Sequence, residues 1–180
     1  NVEMQNFQKV MGLRENCRRR DLRYNRIMIM TDQDDDGFHI KGLVLNALNV
    51  MCPQLMNEEG FVCTMITPIV KAKKGSKVRT FYNMDDYRAW KERSKGWTIK
   101  YYKGLGTSTS AEAKEYFRDM SNNVIDFDTT DCTASLDLAF RKDKGSVRGW
   151  SDRRKTWIRE GTIQMTPVNY KKKVHTTQEF

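Results

Sequence analysis

Four carboxylates fall within five positions, at Asp32, Asp34, Asp35 and Asp36, directly after the run Arg26-Ile-Met-Ile-Met30 and directly before Gly37. Like charges this close repel and raise one another's pKa, so an ordered turn of this density calls for a divalent cation or several hydrogen-bond donors. The string Asp32-Gln-Asp34-Asp-Asp36-Gly37 reads like the opening half of an EF-hand calcium loop. The twelfth position of that loop needs a bidentate Glu, however, and here it is Leu43, while the segment ahead is strand-like rather than helical. Hard oxygen donors at the C-terminal end of a strand suit Mg²⁺ instead, in the crevice where α/β sheets place ligands. Alternate side chains of an extended segment share a face, so Asp32, Asp34 and Asp36 are expected to converge while Asp35 points elsewhere. A Mg²⁺ held by two or three carboxylates keeps positions open for water and a phosphate oxygen, which is phosphate chemistry in outline. The competing reading is a solvated acidic turn that caps the helix after it.

The elements that must position this turn are legible on both sides. Residues 26–30 form a short apolar run ending in turn-forming polar residues, as a buried strand does. From Ile40 to about Leu55 apolar residues recur at three and four, which predicts one helical face. Further along, 4–13 predicts a short helix, and 61–70 with 78–82 predicts a hairpin across Lys73-Lys-Gly-Ser76. A helix is expected over 85–93 and a strand over 97–102, broken by Gly104-Leu-Gly106. Thr109 and Glu112 form a capping-box pattern ahead of a helix carrying Ala113, Tyr116, Phe117 and Met120. Helices are expected over 133–141 and 148–159, and periodicity is lost over 161–180. The alternation predicts an α/β fold, with a mainly parallel central sheet flanked by helices and a C-terminal helical and extended arm.

The 180 residues are 38% hydrophobic, enough for one buried core. The net charge of +9, with basic clusters at 18–20, 71–77, 153–155 and 171–173, suits a polyanion, nucleic acid first; the bland alternative is a solvated basic surface. Cys17, Cys52, Cys63 and Cys132 form no C-x-x-C pair, which points away from zinc and redox motifs and toward a reducing compartment. No apolar stretch approaches membrane-spanning length and no leader pattern opens the chain, so an intracellular protein is expected. The first residue is Asn1 and the pattern opens midway, so a piece of a longer protein is expected.

The strings LRYNRIMIMTDQDDDGFHIKGLVLN (22–46), FVCTMITPIVK (61–71), KYYKGLGTSTSAEAKEYFRDM (100–120) and SLDLAF (135–140) resemble the metal-binding TOPRIM region of eukaryotic-type DNA topoisomerase II, in the family's order and near its spacing. The resemblance covers most of 1–160 and is weaker to Phe180. It implies a TOPRIM-like domain over 1–130, lacking its first strand and first acidic motif. A basic helical extension would follow over 131–160, then an arm over 161–180 leading to a winged-helix domain outside the chain. It implies a type II topoisomerase in which TOPRIM supplies Mg²⁺ while a tyrosine located elsewhere attacks a DNA phosphodiester.

The resemblance assigns the metal to Asp32 and Asp34, with Asp36 in support, and contacts to the DNA backbone to Lys103, Lys142, His39 and Arg23. ATP would act through an ATPase domain outside the chain, on duplex DNA, in a homodimer or with other subunits or domains of the same enzyme. The implied compartment is the nucleus for a cellular eukaryotic protein, or the host cell or virion for a viral one. The family's first acid, a Glu in an EGDSA-like motif, has no counterpart in 1–25 and no nucleophilic tyrosine is assignable, so this chain alone is expected to be inactive. Phe38 stands where the family has a small residue, Asn25 where it has glycine, and Lys144 to Gly149 reads as an insertion. Two other classes stay open: a non-catalytic basic DNA-binding module, and a TOPRIM nuclease or primase, against which KYYKGLGTSTS and SLDLAF weigh.

Overall fold

In the computed structural model, residues 1–130, 132–144, 149–161 and 169–177 are described. The acidic turn leaves the C-terminal end of strand β1 (Ile27–Ile29) and enters helix α2 (Asp35–Met51); helix α1 (Val2–Met11) and a single 3₁₀ turn at Arg19–Asp21 precede it. Strand β2 (Val62–Met65) pairs parallel with β1, Ile27 against Val62 through Ile29 against Thr64. A parallel neighbour requires a crossover, and α2 with the short α3 (Pro53–Met56) provides it. All four residues of β2 are buried, as befits a strand in the interior of a covered sheet.

The single helix expected from Ile40 to Leu55 divides in two. It starts earlier, at Asp35, because Asp34 caps it, and it ends at Cys52, whose φ of −149° and ψ of 61° are non-helical. Pro53 lacks an N–H to continue the ladder but sits well at the first position of α3. Lys41, Leu45, Leu48 and Asn49 form the buried stripe of α2.

Strand β6 (Val124–Asp128) runs antiparallel to β2, and β7 (Val174–Thr176) adds parallel to β6, giving the order β1-β2-β6-β7. Two of the three pairings are parallel, so the expectation of a mainly parallel sheet flanked by helices holds. β7 lies in the stretch read as a periodicity-free arm; part of that arm is the edge strand of the main sheet. The main core gathers Ile29, Leu48, Leu55, Phe61, Val62 and Phe127 with Leu136 of helix α7 (Thr133–Phe140). The ring of Phe140 lies so near α2 that a Cβ on Gly42 would sit 2.7 Å from its Cζ.

A second sheet, of order β4-β3-β5, is antiparallel throughout and consists of β3 (Val70–Lys74), β4 (Lys77–Phe81) and β5 (Thr98–Tyr101). The expected hairpin exists, but its first strand is β3. The stretch 61–70 is no single strand, because β2 belongs to the other sheet and the chain crosses between sheets at 66–69. Gly75, at φ 58°, takes the first of the two turn positions, where a II′ turn needs positive φ. Helix α4 (Met84–Lys91) packs Tyr87 and Trp90 on this sheet, with Phe81, Trp97 and Ile99.

Helices α5 (Ser110–Arg118) and α6 (Met120–Asn123) return the chain to β6, and α8 (Trp150–Gly161) follows α7. The guanidinium groups of Arg141 and Arg153 lie 5.1 and 5.2 Å from the centroid of the Trp150 ring, whereas Trp157 is exposed. Within the suspected insertion, 145–148 lies outside the described residues. Among the described residues no helix is long and apolar enough to cross a membrane.

Candidate metal and phosphate site

Asp34 closes the first turn of α2: its Oδ1 accepts the backbone N–H of Gly37 at 2.8 Å. An Asp N-cap stabilises a helix by about 1 kcal/mol, and Asp35 and Asp36 in the first turn meet the positive end of the helix dipole. The turn is tight, since a Cβ at Gly37 would fall 2.0 Å from the carbonyl oxygen of Asp32. Thr31 Oγ1 donates to the Gly37 carbonyl at 3.1 Å.

The Asp32 carboxylate meets the loop after β5. Its Oδ1 accepts the N–H of Leu105 at 2.7 Å. Gly104, at φ 149° and ψ 168°, lies against the same carboxylate, and a Cβ there would stand 2.7 Å from Asp32 Oδ2. Only glycine fits this backbone conformation and this distance together. The loop is fixed from its other side by Tyr102, 8% exposed, whose hydroxyl makes a short hydrogen bond to Glu112. Glu112 also accepts from Lys100 Nζ at 2.8 Å and from the N–H of Thr109 at 2.7 Å, completing the expected capping box of α5. Burial would raise the Glu112 pKa, but the donors Lys100, Tyr102 and Thr109 outweigh it and hold the carboxyl down to about 2. Burial and the Glu112 carboxylate push the Tyr102 hydroxyl well above its ordinary value.

A cleft of about 460 Å³ opens between these parts, lined by Asp32, Asp34 and Asp35, by Thr67 to Ile69, and by Tyr101 to Gly104. Of the expected trio, Asp32 and Asp34 line the cleft and Asp36 does not. Because α2 begins at Asp35, the period changes from two to 3.6 within the acidic string, and Asp35 rather than Asp36 lines the cleft. Among the described residues no three His, Cys, Asp or Glu groups come together as a set able to hold a metal. Asp32 and Asp34 are brought to one cleft with Lys103, while Asp36 is exposed on the first helical turn.

The remaining expected residues lie elsewhere. His39 is exposed and stacks on Phe140, centroids 6.0 Å apart and planes 12° from parallel, near the end of α7 where Lys142 follows, itself exposed. Arg23 is exposed, and its N–H donates to Met11 at 3.0 Å. Phe38 packs under the Lys41 ammonium, which lies 4.5 Å from its ring centroid. Two residues of the site escaped the sequence reading. Gln33, between the carboxylates, reaches Met65 and Lys41, and Lys41 is 1% exposed. A lysine at the 41/45/48 spacing of a buried stripe was the available signal.

A family model described as the C-terminal associated domain of TOPRIM matches residues 65–180. DNA topoisomerase 2 of Plasmodium falciparum (isolate K1 / Thailand) is 42% identical over 188 residues, covering 100% of this chain and 13% of that protein. The mitochondrial DNA topoisomerase 2 of Dictyostelium discoideum is 44% identical over 173 residues, covering 89% of this chain and 13% of that protein. The crystal structure of the Plasmodium falciparum topoisomerase II DNA-binding, cleavage and re-ligation domain matches with a TM-score of 0.86 at 40% identity, over 98% of this chain and 24% of that one. The chain therefore spans a small part of the length of the relatives it matches.

Proposed function

Because the chain belongs to the family of the C-terminal associated domain of TOPRIM, in the form that DNA topoisomerase 2 carries, we propose that it is the central part of an ATP-dependent type II DNA topoisomerase. In this reading it supplies the Mg²⁺ site for cleavage and religation of duplex DNA by a tyrosine outside these residues. ATP acts through a domain that is also outside them, and the working enzyme is a homodimer. The Dictyostelium discoideum relative is named mitochondrial, so the organelle joins the nucleus as a candidate compartment.

The observation that supports the reading is the seating of Lys103-Gly104-Leu105 on Asp32, with the Lys103 ammonium and the Asp32 and Asp34 carboxylates lining one cleft, a donor set suited to a phosphate and a divalent cation. The residues present fit magnesium. Asp32 and Asp34 offer hard oxygens, one oxygen of each is oriented by a backbone N–H, and Mg²⁺ is commonly bound through one or two carboxylates plus water and substrate phosphate. Magnesium, when bound, stabilises negative charge that builds on a phosphate oxygen.

The chain's own residues do the rest. Lys103 holds the phosphate beside the carboxylates, Gly104 admits the loop to van der Waals distance of Asp32, and Asp34 fixes the start of α2. Lys142, His39 and Arg23 hold the DNA backbone and set register without reading sequence, which places no demand on base identity.

One observation favours a second reading, a basic DNA-binding module: both carboxylates have structural roles of their own, as cap and as loop anchor. Duplex binding by the chain separates the two. The module reading expects salt-dependent affinity that neither Mg²⁺ nor Asp32→Ala alters. The topoisomerase reading expects Asp32→Ala to change affinity in Mg²⁺ but not in chelator, and an identical response in both would overturn it.

A further inference from the structure

We propose that Gln33, the residue between the two carboxylates, is a positioning residue: its amide is gripped between helix α2 and the end of β2, and the grip sets the direction of Asp32 and Asp34. Gln33 Oε1 accepts from Lys41 Nζ at 3.4 Å, and Gln33 Nε2 donates to the Met65 carbonyl at 3.2 Å. Only one orientation of the amide serves both contacts, since an ammonium offers donors alone and a carbonyl accepts alone. The turn that leaves the end of β1 is thereby tied to the last residue of β2, its parallel neighbour, and to the buried stripe of α2.

The flanking carboxylates are then committed to different partners. Asp32 turns to the Leu105 N–H and Asp34 to the Gly37 N–H, so three consecutive side chains are each held by a different part of the fold. A buried ammonium is expensive unless acceptors surround it. Lys41 is 1% exposed, and its placement between the Gln33 amide, the Phe38 face and the field of Asp34 makes such a site. Residues that orient metal-binding carboxylates typically change metal affinity about 10- to 100-fold when removed. The effect on metal rests on the magnesium reading above; the effect on the turn stands without it.

Gln33→Leu removes both hydrogen bonds at unchanged charge and similar size. Amide hydrogen exchange on the full chain is the first measurement, because the Gly37 and Leu105 N–H groups report directly on the two carboxylates. Both amides are expected to exchange about tenfold faster in Gln33→Leu, while those of β2 and β6 keep their wild-type rates. Mn²⁺ titration, read by the metal's paramagnetic signal, is expected to show affinity weakened about tenfold. In a Lys41→Met background the same substitution is expected to add less than about threefold, because the grip is already broken. Unchanged exchange at Gly37 and Leu105, equal acceleration throughout β2 and β6, or fully additive effects of Gln33→Leu and Lys41→Met would each overturn the proposal. Asp32→Asn combined with Asp34→Asn binding Mn²⁺ as tightly as the wild type would instead overturn the metal reading, leaving the exchange result to judge Gln33.

Discussion

Leu105 donates its backbone N–H to Asp32 Oδ1 at 2.7 Å across 73 positions of sequence, and this bond joins the acidic turn to the loop that carries Lys103. Because Gly104 lies against the other oxygen of the same carboxylate, the position of Asp32 and the position of the loop are one variable rather than two.

Gly104→Ala tests that joint placement. The added methyl would meet Asp32 Oδ2 at 2.7 Å, on a backbone at φ 149° that side chains rarely adopt. A stability loss of about 1–3 kcal/mol is expected in denaturant unfolding. Mn²⁺ affinity is expected to fall at least as far as in Asp32→Asn. Wild-type affinity in Gly104→Ala would show that the loop does not constrain the carboxylate.

Asp34 has two duties that chemistry can separate. Asparagine caps helices as well as aspartate does, so Asp34→Asn should stay within about 0.5 kcal/mol of wild-type stability while Asp34→Ala loses about 1 kcal/mol. Metal affinity should fall in both, because both remove the charge. If Asp34→Asn binds Mn²⁺ normally, the cap is the residue's whole role.

Glu112 makes the loop sensitive to acid. Its pKa is depressed from 4.5 to about 2 in the folded chain, so its stabilisation is complete above pH 4.5 and is lost as pH falls toward 2. Glu112→Gln should be less stable than wild type at pH 7, on the order of 1–3 kcal/mol for hydrogen bonds to a charged group. The difference should shrink steadily as pH is lowered from 4.5 to 2 in thermal unfolding. A constant difference across that window would contradict the assignment.

Lys41 has the same sign of pH dependence in a higher window, but for a base the lowered pKa costs stability at neutral pH. Burial lowers its pKa from 10.5 to about 8, against the attraction of Asp34, so the unfolded chain binds the proton more tightly than the folded one between those values. Stability should therefore rise from pH 8 to 10.5, and Lys41→Met should flatten that rise. Parallel profiles for the two proteins would count against a buried, desolvated ammonium.

Several of these relationships were legible in residue types. The β1–turn–α2 order followed from an apolar run, a capping carboxylate and a three-and-four spacing, and Thr109 with Glu112 declared the start of α5. Other features left no such trace. Leu105 contributes a backbone N–H, which every residue but proline has, so its bond to Asp32 was invisible in the string. β7 is three residues long and is held by β6 rather than by any pattern of its own. That Asp35 lines the cleft and Asp36 does not follows from where α2 begins, a boundary set by the Asp34 cap, which changes the side-chain period inside the acidic string. Gln33 and Lys41 were overlooked because their polar groups act inward, on a turn and a helical face whose neighbours are fixed only in three dimensions.

Covalent cleavage of duplex DNA tests the central claim most directly. The chain would be placed within a full-length DNA topoisomerase 2, and Mg²⁺-dependent formation of protein–DNA adducts measured for the wild type and for Asp32→Asn combined with Asp34→Asn. The expected result is a loss of adduct of at least about a hundredfold at fixed Mg²⁺, the scale on which charge stabilisation in a phosphoryl-transfer site acts, with duplex binding in chelator preserved. Cleavage by the double variant at the wild-type rate and with the wild-type dependence on Mg²⁺ would contradict it.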